Sequence, residues 1–415
     1  MNEILLKQAQ SAKTAASALA CASTDEKNRA LLLIADALES RVGEILDANG
    51  RDVAAAVESG TSAALIDRLT LSEKRVADIA LGVRQVAALP DPVGEVIEET
   101  KRPNGLVIKR VRVPLGVIGM IYEARPNVTV DAASLALKAG SAVMLRGSSS
   151  ALESNKKITE VMRDALAESS IPCDAVSLVD GRSHDVVDEM MSLRGYIDLM
   201  IPRGGAGLIK RVVENCRVPV LETGVGNCHI YVDRDADAEM AENILINAKT
   251  QRPAVCNAAE TLLVHSERAD LAVKLCDALR AAGVTVHGCP KICELAPYAV
   301  PVTEKELECE FLSLDMAVKL VDDIDDAISH IRRYGTGHTE AIITNDRAAA
   351  DKFIREVDAA AVNVNASTRF TDGFEYGFGA EIGISTQKMH ARGPLGLREI
   401  TSYKFIVEGT GQIRK

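Results

Sequence analysis

The spacing of apolar residues divides the chain into a helical first part and a longer remainder in which strands and helices alternate. The first ninety residues are rich in alanine, and apolar positions recur at the helical interval in runs such as Ala30–Leu38. Ser23-Thr-Asp-Glu26 precedes that run and can cap it, and Thr70-Leu-Ser-Glu73 predicts a capping box in front of Val76–Ala88. Pro90–Gly94 then ends the predicted helical region.

A β-branched segment, residues 96–113, follows and predicts a hairpin. Leu106–Val113 partly alternates between apolar and polar side chains, and Pro103-Asn-Gly105 has the composition of a turn. The exposed face of this hairpin is basic. Since an exposed strand edge favours pairing, we expect the hairpin to pair outside its own domain.

From Leu115 onward, short apolar runs alternate with longer amphipathic segments, which is the pattern of strands alternating with helices. The predicted strands are Gly116–Ile121, Ala142–Leu145, Ala175–Val179, Ile197–Ile201, Val218–Leu221, His229–Val232, Thr261–Val264, Met316–Leu320, Ala341–Thr344, Ala361–Val364 and Tyr403–Val407. The predicted helices are Asn127–Lys138, Ala151–Ala167, Asp185–Met191, Leu208–Val213, Ala238–Lys249 and Leu271–Ala282. This alternation predicts an α/β fold with parallel βαβ units, and the chain length predicts two α/β domains plus a small β element.

The amino-acid composition limits which residues can form the core and which partners the chain can bind. Aromatic residues make up 3% of the chain and tryptophan is absent, so the core must be built from Ala, Val, Leu and Ile. The formal charge of −11, with no basic run, argues against nucleic acid or a membrane surface as a partner. No apolar run approaches the ~20 residues that span a bilayer, and residues 1–20 lack a secretory signal.

The cysteines indicate a reducing compartment. They number nine and have no repeating spacing, which argues against a disulfide scaffold and predicts a cytoplasmic protein. The cluster His287-Gly-Cys-Pro-Lys-Ile-Cys293 faintly resembles a metal site, but no second ligand pair follows it. We therefore interpret the cluster as two buried thiols around a turn and expect no metal.

Two turns, each between a predicted strand and a predicted helix, can hold phosphate, although Walker and Rossmann fingerprints are both absent. Arg203-Gly-Gly-Ala-Gly207 offers backbone amides and a helix dipole, but close helix–sheet packing would select the same small residues. Arg146-Gly-Ser-Ser-Ser150 offers a guanidinium and hydroxyls to a 2′-phosphate, which favours NADP, although its serines could instead cap the helix. The candidate cofactor-binding residues in these turns are Arg146, Ser148, Ser149, Arg203, Gly204 and Gly205.

Glu222 and Cys256 are the candidates for covalent chemistry. Glu222 ends a predicted buried strand, and Cys256 follows 34 residues later in Pro253-Ala-Val-Cys-Asn257. A cysteine is a nucleophile only as its thiolate, and a nearby carboxylate can act as a base or orient a water molecule. Residue type alone does not separate Cys256 from the other eight, because most buried cysteines are small hydrophobes.

The combination resembles the aldehyde dehydrogenase superfamily. Glu222-Thr-Gly-Val-Gly226 with Cys256 is similar to its Glu-Leu-Gly-Gly and cysteine signature, and Gly140–Arg146 is similar to its strand that ends in a cofactor-binding Lys. Glu310–Leu314 resembles the stretch whose Glu holds the nicotinamide ribose. The resemblance implies that Cys256 is the nucleophile and that Glu310 binds the cofactor.

Within the superfamily, the chain resembles the gamma-glutamyl phosphate reductase family along essentially its whole length. The segments that carry this resemblance are Ile121–Thr129, Pro202–Gly205, Pro219–Gly226, Phe378–Gln387 and His390–Gly396. It implies reduction of L-glutamyl 5-phosphate to L-glutamate 5-semialdehyde by NADPH, with release of phosphate. The reaction would pass through a thioester on Cys256 and would be the second step of proline biosynthesis from glutamate.

The sequence differs from those of hydrolytic aldehyde dehydrogenases at positions that suggest roles for further residues. Those relatives carry Pro-Trp-Asn where this chain reads Glu123-Ala-Arg-Pro-Asn127, so we expect this asparagine, with the amide of Cys256, to stabilise the oxyanion. Arg146 replaces the superfamily Lys, and Ser149 replaces the acidic residue usual in NAD users, which supports NADP. Because no water attacks in the implied cycle, Glu222 either helps to ionise the thiol or has only a structural role.

The implied substrate carries a phosphate and an α-carboxylate, which need cationic partners. Arg125 and Arg392, both in loops flanked by Gly or Pro, are candidate clamps, and His338 could donate to phosphate. For each of the three, the alternative is a surface loop cation, and Arg125 is the strongest of the candidates. Two rival functions also stay open, a hydrolytic semialdehyde dehydrogenase and a non-catalytic NADP-binding protein.

The resemblance also predicts the domain organisation. We expect a cofactor-binding domain of residues 1–95 and 114–224, a catalytic domain of residues 225–396, and an oligomerisation element of residues 96–113 and 397–415. Exchanged strand edges would give a homodimer or tetramer. No kinase region precedes the reductase-like segment, so we expect a stand-alone enzyme, with a transient complex with glutamate 5-kinase as a further possible partner.

Overall fold

The computed structural model describes residues 2–180 and 185–414. The chain forms two compact units, each assembled from separate stretches. The first unit comprises Met1–Glu222, Gly377–Gly383 and Leu395–Lys415, and the second comprises Thr223–Tyr376 and Ile384–Pro394. The cofactor-binding, catalytic and oligomerisation roles assigned to ranges of the chain stay predictions.

Five helices open the first unit: α1 Glu3–Leu19, α2 Thr24–Ser40, α3 Val42–Glu58, α4 Ala63–Leu69 and α5 Glu73–Ala88. The predicted cap of α2 is confirmed, because Ser23 and Glu26 form a reciprocal capping box. The predicted box at Thr70 is wrong. Thr70 ends α4, where its hydroxyl donates to the carbonyl of Ile66, and Ser72 caps α5 instead.

Strands and helices then alternate in the first unit. They are β1 Val96–Lys101, β2 Val107–Pro114, β3 Val117–Tyr122, α6 Pro126–Lys138, β4 Ala142–Arg146, α7 Leu152–Ala167, β5 Val176–Leu178, α8 Asp185–Met191, β6 Leu199–Arg203 and α9 Ala206–Asn215. Strands β5, β4, β3 and β6 lie in that order in a parallel sheet. Every residue of β3 and β4 is buried, which explains why both read as continuous apolar runs.

The second unit is built around a larger parallel sheet. Its elements are β7 Cys228–Val232, α10 Ala238–Thr250, β8 Ala259–His265, α11 Ala269–Ala281, β9 Thr285–Gly288, α12 Pro290–Leu295, β10 Val300–Pro301, α13 Glu304–Leu307, β11 Asp315–Val321, α14 Ile324–Tyr334, β12 Thr339–Ile343, α15 Arg347–Glu356, β13 Ala361–Val364, β14 Ile384–Ser385 and β15 Gly393–Pro394. Seven strands lie in the order β10-β9-β11-β8-β7-β12-β13. Buried apolar clusters of this unit lie around Leu262 and Leu275, around Tyr231 and Phe353, and around Leu307 and Tyr334.

The last strand, β16 Thr401–Glu408, returns to the first unit and pairs with β2, which also pairs with β1. The predicted hairpin and final strand are therefore confirmed. Apolar side chains stand on the exposed surface of this three-stranded sheet, with Tyr403 52% and Phe405 63% exposed. An apolar strand surface of this kind favours association with another chain.

The prediction of parallel βαβ units is confirmed in both units, but some elements differ. The predicted strand Val218–Leu221 is wrong, because only Val220 forms an isolated bridge, to Met200. Strand β9 and helices α12, α14 and α15 were not predicted. Helix α14 begins with Ile-Asp-Asp after the cap Asp323, so few apolar residues mark its start in the sequence.

Around His287 the described structure does not assemble a metal site, since no group of three His, Cys, Asp or Glu residues in residues 2–180 and 185–414 could hold an ion. Instead, the imidazole of His287 bonds to Asp315 at 3.0 Å and lies 3.2 Å from Glu306. Within the same ranges, no helix is long and apolar enough to cross a membrane.

Candidate active site

Three strands of the first unit end side by side at one edge of its sheet. Ile121 pairs with Arg146 across β3 and β4, and Tyr122 pairs with Arg203 across β3 and β6. The loops that follow these strands hold most of the predicted cofactor-binding residues. Ligands of open parallel sheets bind outside the carboxyl ends of the strands, so this edge is the candidate cofactor site.

Arg146, the last residue of β4, is buried and only partly satisfied. Its side chain is 6% exposed and one Nη donates to the carbonyl of Gly147, whereas Nε has no hydrogen-bond partner among the described residues. Burial lowers the pKa of Arg146, but a guanidinium stays charged in proteins. A buried cation with a spare donor is a fitting partner for an anion such as a cofactor phosphate.

The serines after Arg146 include one that caps a short turn and two that are exposed. Ser148 caps a short 3₁₀ turn, since its hydroxyl accepts from the amide of Ser150. The Ser148 and Ser150 hydroxyls also lie 2.8 Å apart, and Ser149 and Ser150 are exposed. The turn therefore presents hydroxyls at its surface while also serving as a helix start.

A buried polar network supports this turn and was missed from the sequence. The Tyr122 hydroxyl lies 2.6 Å from that of Thr129, which donates to Asn155 at 2.9 Å. A methyl group at Gly147 would lie 2.2 Å from Nδ2 of Asn155, a nitrogen without a partner in the described part of the chain. Gly147 thus allows the turn to pack directly on the network. No local sequence signal joins these residues, because three different elements supply them.

The glycine turn after β6 is already occupied by a carboxylate. Oε1 of Glu123 accepts from the amide of Gly205 at 2.8 Å, and a methyl group at Gly204 would lie 2.6 Å from the Glu123 carboxyl carbon. The sequence alone predicts that this amide is available to a phosphate. A carboxylate at the start of α9 is favoured by the same exposed amide and helix dipole that would favour a phosphate.

Asn127 and Arg125 lie where α6 begins. Asn127 donates through Nδ2 to Asp131 one helical turn later, at 2.9 Å. Burial raises the pKa of Asp131 to about 6, and the hydrogen bond from Asn127 and the charge of Arg203 oppose that rise. Arg125 is the exposed residue that precedes the helix.

In the second unit, Cys256 lies in a turn that leads into β8. Its backbone is closely surrounded, because a methyl group at Gly226 would lie 1.5 Å from the Cys256 carbonyl oxygen. The thiol of Cys228 donates to the same oxygen at 3.2 Å, and burial raises the pKa of Cys228 well above its usual value. The partly buried Cys256 is therefore held at its carbonyl by a neutral thiol and a glycine.

Arg369 is the functional candidate that sequence reasoning missed in this unit. Burial and the charge of Arg252 lower the pKa of Arg369, and the negative charges of Asp372, Cys256 and Glu375 oppose that lowering. Its guanidinium bonds to Gln251 at 2.8 Å and to the side chain of Asn257, the residue after the cysteine. A fixed cation close to a cysteine stabilises the thiolate, which is the reactive form.

Glu310 is linked to the cysteine region through Gly226. The amide of Gly226 donates to Oε1 of Glu310 at 3.0 Å. Burial raises the pKa of Glu310, and the Gly226 amide and the charge of Lys249 oppose that rise. Gly226 thus lies between the predicted nucleophile and the predicted ribose-binding carboxylate.

The remaining candidates are not all placed as expected. His338 is fully buried rather than in an open loop, and its Nδ1 lies 2.8 Å from the Thr339 hydroxyl and 3.8 Å from the Cys228 sulfur. Burial lowers the pKa of His338 to about 4, so the imidazole is neutral near pH 7. Arg392 is engaged by Asp358 at 2.7 Å.

Glu222 is the last residue of the first unit and is half-buried. Within that unit the structure brings together Arg146, Arg203, the glycine turn and Asn127. Within the second unit it brings together Cys256, Gly226 and Glu310, and it places His338 beside Cys228.

Comparison with known protein sequences identifies the family to which this fold and these residues belong. The aldehyde dehydrogenase family matches residues 3–284, and the chain belongs to that family. More particularly, the chain is similar to enzymes named gamma-glutamyl phosphate reductase. It is 59% identical to that of Carboxydothermus hydrogenoformans over the full length of both, and 56% identical to that of Thermobifida fusca over 98% of each.

Comparison with solved structures gives the same result as comparison with sequences. The gamma-glutamyl phosphate reductase of Thermotoga maritima superposes with a TM-score of 0.97 at 52% identity, covering 99% of this chain and all of that one. An acetylating aldehyde dehydrogenase from Geobacillus thermoglucosidasius superposes with a TM-score of 0.70 at 18% identity, covering 100% of this chain and 98% of that one. The predicted aldehyde dehydrogenase-like α/β fold is confirmed.

Proposed function

We propose that this chain reduces L-glutamyl 5-phosphate to L-glutamate 5-semialdehyde with NADPH and releases inorganic phosphate. This would be the second step of proline biosynthesis from glutamate. The observation that carries the proposal is the surroundings of Cys256, whose turn is packed against Gly226, is held by the Cys228 thiol, and continues into Asn257, which bonds to Arg369. The full-length similarity to gamma-glutamyl phosphate reductases supports the choice of substrate.

Cys256 is the proposed nucleophile. Arg369 lowers the cost of forming its thiolate, which attacks the acyl carbon and forms a carbon–sulfur bond while the carbon–oxygen bond to phosphate breaks. The acyl group is then held as a thioester. After reduction to a hemithioacetal, the carbon–sulfur bond breaks, and the aldehyde leaves as the thiolate returns.

NADPH, when bound, supplies the hydride for this reduction. Arg146 fits a cofactor phosphate because it is buried, charged and has an Nε without a partner in the described residues, and Ser148 and Ser149 offer hydroxyls beside it. No carboxylate from this turn opposes a 2′-phosphate, which supports NADPH over NADH. The turn Arg203-Gly204-Gly205 and the carboxylate of Glu310 would hold the rest of the cofactor.

Asn127 is the proposed side-chain donor to the oxygen that gains negative charge, together with the backbone amide of Cys256. Asp131 accepts one amide proton of Asn127, which fixes the orientation of the side chain and leaves the second proton for the substrate. Glu222 needs no role in attacking water, because phosphate is the leaving group, and we assign it a part in ionising the thiol.

The substrate anions need cations, and Arg125 and Arg392 are the proposed clamps. Arg125 is exposed at the start of α6, so it is accessible to a ligand. Arg392 would share its charge between the substrate and Asp358. His338, which is buried and neutral beside Cys228, stays the proposed donor to phosphate.

We propose that the chain works in the cytoplasm as a homodimer or tetramer, with glutamate 5-kinase as a transient partner. The exposed aromatic surface of β16 supports association between copies. None of the nine cysteines, all of which lie in described ranges, is in a disulfide, which suits a reducing compartment.

The deciding experiment is the reverse reaction, NADP reduction with glutamate semialdehyde, measured with and without phosphate. Activity that requires phosphate and disappears in Cys256→Ala supports the proposal, and the exposed Cys309→Ala is the matched control. Activity without phosphate would instead identify a hydrolytic dehydrogenase. A thiol at Cys256 that reacts no faster with iodoacetamide than that of Cys309 would favour a non-catalytic NADP-binding protein.

A further inference from the structure

A cavity of about 190 Å³ lies in the second unit between helices α14 and α15. Ile328 and Ile331 of α14 line it on one side, and Val357, just after α15, lines it on another. Its volume is about that of six water molecules in the liquid, so a small organic molecule fits. Neither Cys256 nor Arg392 is among its lining residues.

Glu340 of β12 lines this cavity with a carboxylate that is only half satisfied. Oε2 accepts from the backbone amide and from Nδ1 of His229, both at 2.9 Å. Oε1 has no hydrogen-bond partner within the described residues, although the side chain is 0% exposed. A methyl group at Gly335, which also lines the cavity, would lie 2.9 Å from Oε1. The unsatisfied oxygen therefore faces the cavity wall formed by this glycine.

Leaving a buried carboxylate oxygen without a donor is costly, and charged groups cost more than neutral ones. A ligand that donates a hydrogen bond to Oε1 would remove this cost. Because the acceptor belongs to an acid, an ammonium group is the strongest donor that a small molecule can offer.

The second group that a ligand can use in this cavity has the opposite charge. Arg332 lines the cavity, is exposed, and makes no ion pair with any residue in the described ranges. The other charged lining residues are engaged, since Asp358 pairs with Lys388 and Arg392 and Glu356 lies 3.3 Å from Arg355. One carboxylate oxygen and one guanidinium are thus left for a ligand.

We propose that this cavity binds a small α-amino acid as its zwitterion, with the ammonium on Glu340 and the carboxylate on Arg332. A guanidinium is well suited to a carboxylate because it can donate two parallel hydrogen bonds. The site does not depend on the proposed reaction, since its evidence is one cavity, one carboxylate oxygen without a donor and one guanidinium without an ion pair in the described residues. The zwitterion could be a free amino acid or the amino-acid end of the proposed acyl phosphate, which carry the same groups.

Calorimetric titration of the intact protein with L-alanine tests this site. We expect saturable binding that Arg332→Gln weakens at least tenfold and that the adjacent Arg333→Gln, outside the cavity, leaves unchanged. Methylammonium and acetate each satisfy only one of the two groups and should bind far more weakly. Absence of binding, equal binding by acetate, or equal effects of the two arginine variants would overturn the proposal.

Two further measurements complete the test. Glu340→Gln keeps the shape of the side chain and should weaken L-alanine at least tenfold in a protein whose melting temperature shows that it is folded. The rate at which iodoacetamide alkylates Cys256 in saturating L-alanine distinguishes a separate amino-acid site from the amino-acid end of the substrate site. An unchanged rate identifies a separate amino-acid site, and a slower rate identifies the amino-acid end of the substrate site. Binding of L-alanine by Cys256→Ala shows that the site is present whether or not the proposed reaction is correct.

Discussion

The Glu123 carboxylate and the Gly205 amide form a hydrogen bond of 2.8 Å at the carboxyl edge of the first unit's sheet. The glycine turn after β6 could be identified from the sequence as a phosphate-binding candidate, but the internal anion that occupies it could not. A cofactor phosphate that binds this amide must first displace the carboxylate.

Replacing Glu123 by Gln should therefore tighten NADPH binding. The amide keeps the size of the side chain but removes the charge that competes at the start of α9, an effect of about 0.3–1 kcal/mol, or up to roughly fivefold in Kd. Fluorescence titration with NADPH measures it. Glu214→Gln, which removes an exposed charge at the other end of α9, is the control. Weaker binding by Glu123→Gln would show that the carboxylate contacts the cofactor instead.

Replacing Arg369 by Gln should slow the reaction of Cys256 with iodoacetamide at pH 7. Loss of the cation destabilises the thiolate, so the rate profile should move to higher pH and alkylation at neutral pH should be roughly tenfold slower. The exposed Arg355→Gln is a matched control. An unchanged profile for Arg369→Gln would exclude a role for this arginine in activating the thiol.

Asp131 makes stability depend on pH in a defined direction. Its pKa rises from 3.8 to about 6 on folding, so between these values the folded protein binds more protons and stability falls as pH increases. Asp131→Asn should then raise the melting temperature at pH 7, for a gain of about 1–3 kcal/mol, and should change little near pH 4. Calorimetry at both pH values checks this. An equal rise in melting temperature at both pH values would mean that the substitution acts through packing alone.

Gly226→Ala should abolish activity. The added methyl group would lie 1.5 Å from the Cys256 carbonyl oxygen, so the turn that carries the nucleophile must shift. A displacement of about 1 Å in an active site can cost roughly a hundredfold in rate. Gly82→Ala in α5 has open space around it and serves as the control. Near-normal turnover by a folded Gly226→Ala enzyme would mean that this turn does not position the reacting cysteine.

The sequence predicted the parts of the fold that depend on local pattern. Strands β3 and β4 were recognisable because complete burial makes nearly all of their residues apolar, with Arg146 at the end of β4 as the charged exception. Val218–Leu221 is equally apolar, but pairing is a long-range property, and this segment makes only one bridge. Within this segment Val218 and Leu221 are buried, whereas Pro219 is exposed.

The candidate site was predictable only where neighbouring residues in sequence form it. Cys256 and Glu310 were found through a family resemblance, whereas Arg369 stands over a hundred residues from the cysteine and has no motif of its own. The burial of His338 is a feature that could not be predicted from the sequence. Its glycine-flanked position is typical of an open loop, yet the following strand β12 is completely buried and carries the imidazole into the interior.

Strand β16 has a consequence for how the protein is made. Its partner β2 lies near residue 110, and Lys404 pairs with Val111, so the two strands leave the ribosome nearly three hundred residues apart. Throughout that interval the edge of β2 is exposed and the whole second unit must be synthesised. The nascent chain therefore carries an unpaired strand edge until its last residues are released, which makes truncated products prone to aggregate.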